Sequence, residues 1–184
     1  STDLPTGTWM TIIKVGGAKF FYPLKIETVK PNRLKLSLDF GKSELSAGNS
    51  AEIGNLQANW LHGSPASGLN AKVETQLKSV PTKFEKYPSY NFDDPSRKFT
   101  VAEPQVIYNG NLDATGNAKV GYHPAPNFLA PGKLKVDFKV RVFEKGGDFS
   151  TDNFSMAYHP YNFYVGVDIP IKDGEKRVDI KKNA

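Results

Sequence analysis

Residues 133–143 read "KLKVDFKVRVF", and this stretch decides the fold class. Leu134, Val136, Phe138, Val140 and Val142 hold alternate positions, with Lys133, Lys135, Asp137, Lys139 and Arg141 in between. Successive side chains of a β-strand point to opposite faces, so the alternation describes a ribbon with one apolar and one charged side. A helix, with a period of about 3.6, would scatter the same residues around its circumference. The stretch is a half-buried strand of an antiparallel sheet.

The signature recurs on both sides. "RLKLSLDF" puts Leu34, Leu36, Leu38 and Phe40 on one face, "LNAKVETQL" does so with Leu69, Ala71, Val73 and Leu77, and "NAKVGY" with Ala118, Val120 and Tyr122. Trp60 falls in phase with Leu56 and Ala58, which predicts a core position. "GTWMTIIKVGGAKFFYPLKIE" predicts strand, Gly16-Gly17 turn, strand, because two-residue hairpin loops need positive φ angles. "NGNLDATGNAKV" predicts a second hairpin around Asp113 to Gly116, and "FEKGGDFSTDNFSMAYHP" a third, with Gly146-Gly147 in its loop. No stretch carries a helical apolar stripe. The fold expected is all-β, an antiparallel β-sandwich.

Composition agrees. A chain of 184 residues with 39% hydrophobic and 23% charged residues can bury one real core. Sixteen glycines and thirteen prolines supply turns for many short strands. No window approaches about eighteen uninterrupted apolar residues, so no membrane insertion by a helix is expected. The opening "STDLPTGTW" has neither a basic nor an apolar leader region, so a signal peptide is not expected within it. Cysteine is absent, which excludes disulfides, thiolate metal sites and cysteine nucleophiles from this chain. The net charge of +5 raises nucleic acid as a partner. The lysines of 133–141 nevertheless share their face with no stacking aromatic, and the residues alternating with them read as core, so they predict a solvated strand face and no nucleic-acid groove.

Residues 79–104, "SVPTKFEKYPSYNFDDPSRKFTVAEP", break the pattern with four prolines and no clean period. Phe84, Tyr87, Tyr90, Phe92 and Phe99 predict an irregular insertion that packs down.

Chemical constellations are sparse. In "NWLHGSPASGLNAKVE" (59–74), His62 with Ser64 or Ser67 suggests a base and a nucleophile. A hydrolase elbow requires G-x-S-x-G on a strand-to-helix turn, whereas here Gly63 directly precedes Ser64 and a strand follows, which predicts a turn. His62, His123 and His159 lie far apart in sequence, without metal-ligand spacing. Counting a calcium loop from Asn109 through Asn111, Asp113 and Thr115 puts Ala114 where glycine is needed and Val120 where glutamate is needed. Asp93-Asp94-Pro95 predicts a turn, not a carboxylate pair. No catalytic, cofactor-binding or metal residue is therefore expected. The aromatics Trp9, Phe20, Phe21, Tyr22, Phe154, Tyr158, Tyr161, Phe163 and Tyr164 leave one binding alternative, a surface or secreted adhesin or carbohydrate-binding module centred on "YHPYNFY".

Six segments taken in order resemble a known family: "LPTGTWMTIIKVGG", "IETVKPNRLKLSL", "NWLHGSPASGLNAKVE", "YPSYNFDDP", "GNLDATGNAKV" and "FYVGVDI". Together, from Leu4 to Ile169, they are similar to bacterial alpha-2-macroglobulins, protease traps strung from consecutive macroglobulin (MG) domains. The resemblance implies a seven-stranded, fibronectin-like sandwich. It implies that residues 1–30 are the C-terminal hairpin of a preceding MG domain, with the seam at "ETVKPNRLK". Residues 31–170 would be one complete MG domain carrying the 79–104 insertion, and 171–184 the start of a following module or a tail. An excised internal piece is thus expected. The partners implied are neighbouring MG domains, and target proteases only through the full-length protein. The location implied is the periplasm or cell envelope, in a secreted or lipid-anchored parent. The family's thioester requires a Cys-x-Glu-Gln motif, and with no cysteine no thioester residue can be assigned here. No enzyme activity and no cofactor are expected.

Overall fold

The computed structural model describes residues 7–26, 31–48, 51–123, 129–168, 171–172 and 174–176. Residues 27–30 of the expected seam, Pro124 beside His123, and most of 171–184 lie outside the described residues. The chain divides between Asn32 and Arg33 into two compact units.

The first unit is a two-stranded antiparallel ribbon, β1 (Gly7–Val15) and β2 (Ala18–Ile26). Gly16 and Gly17 have φ of 53° and 84°, the left-handed pair that the tight turn demands. Register places Trp9 opposite Leu24, Thr11 opposite Tyr22, Ile13 opposite Phe20 and Val15 opposite Ala18, so these residues share one face. Met10, Pro23, Ile12, Phe21, Lys14 and Lys19 share the other.

The second unit is a sandwich of two sheets. Its larger sheet, in the order β4 (Glu44–Ser46), β10 (Phe149–His159), β9 (Leu134–Phe143), β6 (Asn70–Ser79), β7 (Gln105–Asn111), faces a smaller one of β3 (Leu34–Asp39), β5 (Glu52–Trp60) and β8 (Asn117–Tyr122). Beyond them β11 (Ile171–Lys172) and β12 (Glu175–Lys176) form a short ribbon. No helix occurs among the described residues, so none is long and apolar enough to cross a membrane.

Strand β9 is the centre the alternation announced. Leu134, Val136, Phe138, Val140 and Val142 are all buried. Phe138 bridges the layers, its ring 5.0 Å from Phe40 and 5.3 Å from Tyr122 of the opposite side. Leu34, Leu36, Leu56, Ala58, Ala71, Val73 and Val120 close the core around it. Each fully buried leucine, valine or phenylalanine among them contributes about 1.5–3 kcal/mol by leaving water.

Three expectations need correction. The sheets are not purely antiparallel: among the described residues the two facing sheets hold eight strands, where the resemblance implies seven, and the three-residue edge strand β4 pairs parallel with β10. Segment 109–120 is not a hairpin: β7 pairs with β6 and β8 with β5, so Asp113 to Gly116 turn the chain from one sheet into the other. Trp60 is only half-buried at the rim of the core, stacked on His62 and lying under the Arg33 guanidinium. In each case alternation reported a residue's side of the ribbon, while pairing partners and depth depended on distant strands.

Candidate functional site

The 59–74 stretch leaves β5, turns, and crosses to β6. Trp60 N donates to Ser64 O (2.8 Å), Gly63 N donates to Trp60 O (2.8 Å), and Ala66 N returns to Ala58 O (3.0 Å). At the tip of this turn Ser64 Oγ lies 2.6 Å from His62 Nε2, an exposed contact that the turn reading did not anticipate. Two parts of a nucleophilic relay are thus adjacent. A relay also needs a group to orient the base and donors to receive an oxyanion. Among the described residues no carboxylate bonds the other nitrogen of His62, no helix offers its N-terminus, and Ser67 makes no hydrogen bond to His62.

The other candidates part company. His123 is exposed at the end of β8. His159 pairs Nδ1 with Tyr164 Oη at 3.1 Å and holds Nε2 3.3 Å from Glu44, within ion-pair reach but misaligned for a hydrogen bond. No group of three His, Cys, Asp or Glu able to hold a metal occurs among the described residues.

Asp93 and Asp94 face different partners. Asp93 accepts from Thr82 N at 3.1 Å, and Thr82 Oγ1 in turn accepts from Lys133 N at 2.6 Å. Gly132 sits over both, where a Cβ would collide with the Thr82 hydroxyl and the Asp93 carboxylate. Asp94 accepts from the hydroxyl and N–H of Ser96, which hold its carboxyl below the usual range with help from Arg97. Asp113 likewise accepts from the Thr115 hydroxyl and from the Asn117 and Thr115 N–H groups, which lower its pKa and shape the crossing turn.

The tyrosines of the 158–164 stretch do not form a platform. Tyr158 is fully buried, and the Tyr161 and Tyr164 rings meet at 82°. Burial raises the Tyr164 phenol to about 12, with Tyr161 adding to the effect. Stacking on a sugar face needs exposed rings in one plane, which Tyr158, Tyr161 and Tyr164 do not offer. Instead the rings anchor the 79–104 excursion. Phe84 meets Phe92 edge-on at 4.8 Å and Tyr164 at 5.6 Å, and Asn91 and Val167 exchange backbone hydrogen bonds of 2.9 and 2.8 Å. Tyr161 donates to Ala130 O at 2.6 Å and accepts from Arg97 at 2.7 Å. An open groove of about 530 Å³ lies beside this assembly, lined by Phe92, Pro95, Pro131, Phe163 and Val165 among others. Sequence reading missed it, although the alternation of Phe163, Val165 and Val167 was its available signal.

The outer face of the large sheet is an ion-pair lattice. Lys72 and Arg141 hold Glu74 at 2.7 and 2.8 Å, while Lys78 and Lys135 hold Asp137 at 2.8 and 3.1 Å. The hydrogen bond from Lys72, opposed by some burial and reinforced by Arg141, lowers Glu74. Charges so paired describe a solvated face.

A family model described as the bacterial alpha-2-macroglobulin MG5 domain matches residues 32–160, which contain every strand of the sandwich from β3 to β10. Among solved structures, E. coli alpha-2-macroglobulin in its native conformation matches at 20% identity and a TM-score of 0.61, over 92% of this chain and 10% of that one. Salmonella alpha-2-macroglobulin reacted with methylamine matches at 21% identity and 0.58, over 89% and 10%. E. coli alpha-2-macroglobulin activated by porcine elastase matches at 20% and 0.60, over 95% and 15%. At such identity the likeness is one of fold, and the chain spans about a tenth of the length of the first two relatives. No curated protein matches. With the family model covering the whole sandwich, the chain belongs to the bacterial alpha-2-macroglobulin MG5 domain family.

Proposed function

We propose that this chain is a non-catalytic scaffold segment of an alpha-2-macroglobulin-like protease-trapping inhibitor. Its sandwich would stand between neighbouring MG domains and hold the spacing of a chamber that encloses a protease. Residues 1–30 would complete the domain before it, and residues from 171 onward would begin the next. The parent would work in the periplasm or cell envelope.

The observation that carries the reading is the coincidence of the family match with the sandwich alone. Outside it, β1–β2 exposes apolar residues on both sides, among them Trp9, Ile13, Val15, Phe20, Tyr22 and Leu24 on one face and Met10, Ile12 and Phe21 on the other. Two strands cannot bury such faces between themselves, and a lone ribbon is marginal in water, so the ribbon calls for another sheet.

The test compares the 184-residue chain with its full-length parent against a protease. An enclosed protease keeps cutting a small peptide that can diffuse in, but loses access to a large protein substrate. The parent is expected to impose that difference and the chain alone to impose none. Inhibition by the chain alone, or ester hydrolysis that disappears in Ser64→Ala, would refute the scaffold reading.

A further inference from the structure

We propose that the groove beside residues 161–168 is the seat of the module that follows in the parent chain, an inference that rests on the scaffold reading above. Asn91 and Val167 hold this segment extended through their paired backbone hydrogen bonds. Extension sends alternate side chains in opposite directions. Tyr164 packs on Phe84 and His159, and Gly166 lies against the Phe92 ring so closely that a Cβ would collide. Phe163, Val165 and Val167 consequently project outward, 79%, 73% and 53% exposed.

Single exposed apolar residues are ordinary, whereas a row of three bordering a groove with proline in its wall marks a contact surface. The groove's chemistry narrows the occupant. Arg97 is already engaged, its Nε 2.9 Å from Asp94 and a terminal nitrogen on the Tyr161 hydroxyl, so the cation at the rim is neutralised. An acidic peptide therefore finds little to hold, and aliphatic or aromatic side chains fit better.

Chain continuity selects among apolar partners. Ribbon β11–β12 begins four residues after Val167, so whatever module continues there sits at high local concentration beside the row. The related chains are about ten times longer than the part this chain matches, so they hold ample sequence for such a module.

Because the chain contains no cysteine, Val165→Cys introduces one thiol into an exposed site. Maleimide labelling at residue 165, read by mass spectrometry of its peptide and normalised to the urea-unfolded protein, is compared in this chain and in the full-length parent. Labelling is expected to be about tenfold slower in the parent and to recover when the module after residue 168 is deleted. Equal rates in the two proteins overturn the proposal, and so does protection that survives the deletion. Phe163→Cys repeats the comparison should residue 165 disturb folding. A parent that shields a protease yet labels freely at 165 refutes this seat and leaves the scaffold reading intact; a protected 165 in a parent that traps nothing does the reverse.

Discussion

Lys78 reaches diagonally from β6 to Asp137 on β9, Nζ 2.8 Å from Oδ2, and Lys135 takes the other carboxylate oxygen at 3.1 Å. Partial burial would raise the pKa of Asp137. Hydrogen bonds from Lys78, Ser155 and Lys135 outweigh it and bring the group from 3.8 to about 2. A carboxylate whose folded pKa is depressed adds stability above its unfolded value and loses that contribution as pH falls through the folded one. Asp137→Asn is therefore expected to cost about 1 kcal/mol near neutral pH, a modest figure because the pair is partly solvated. Urea titrations of the two proteins should converge between about pH 4 and pH 2. A gap unchanged across that window would contradict the assignment.

Gly116 is constrained both by its backbone angle and by a neighbouring backbone. Its φ is +77°, its carbonyl accepts from Ala58 N at 2.9 Å, and an added Cβ would lie 2.5 Å from Ala58 O. Gly116→Ala combines a left-handed backbone with a backbone clash and is expected to cost about 3 kcal/mol or more in denaturant unfolding. Gly146→Ala, with open space around it and no positive φ, should be close to neutral.

Thr75 places a hydroxyl among the apolar residues of β6. Its Oγ1 is buried without a hydrogen-bond partner among the described residues. Burial raises the phenol of Tyr122 in the same core to about 12, with Tyr158 adding to the effect. Thr75→Val keeps the shape, removes the unmet polar group, and is expected to raise unfolding free energy by about 1 kcal/mol. A lower midpoint in urea would show that the hydroxyl is bonded in solution.

Tyr161 ties the irregular segment to the sandwich through Ala130 O and Arg97. Tyr161→Phe retains the ring and leaves the Ala130 carbonyl without this donor, at a cost of about 1 kcal/mol. Limited proteolysis should cut within residues 79–104 faster than in the wild type, while cleavage elsewhere is unchanged. Equal digestion patterns would mean the aromatic packing of Phe84 and Phe92 suffices by itself.

The sequence alone determined the fold class. Alternation is a local property: residues such as Val136 and Val140 declare a buried face wherever their neighbours lie, and Gly16-Gly17 carries its own turn geometry. The order of motifs was likewise sufficient to suggest the family. Only the tertiary structure decided which strands pair. It set β7 and β8 in different sheets, laid β4 parallel to β10, left Trp60 at a rim, and brought His62 against Ser64. Those relations are set by packing among residues far apart in the chain, as between Phe138, Phe40 and Tyr122, and no period in the sequence encodes them. The groove beside Phe163 was legible only in part: alternation marks Phe163, Val165 and Val167, but its walls come from three separated segments that meet only when the core closes.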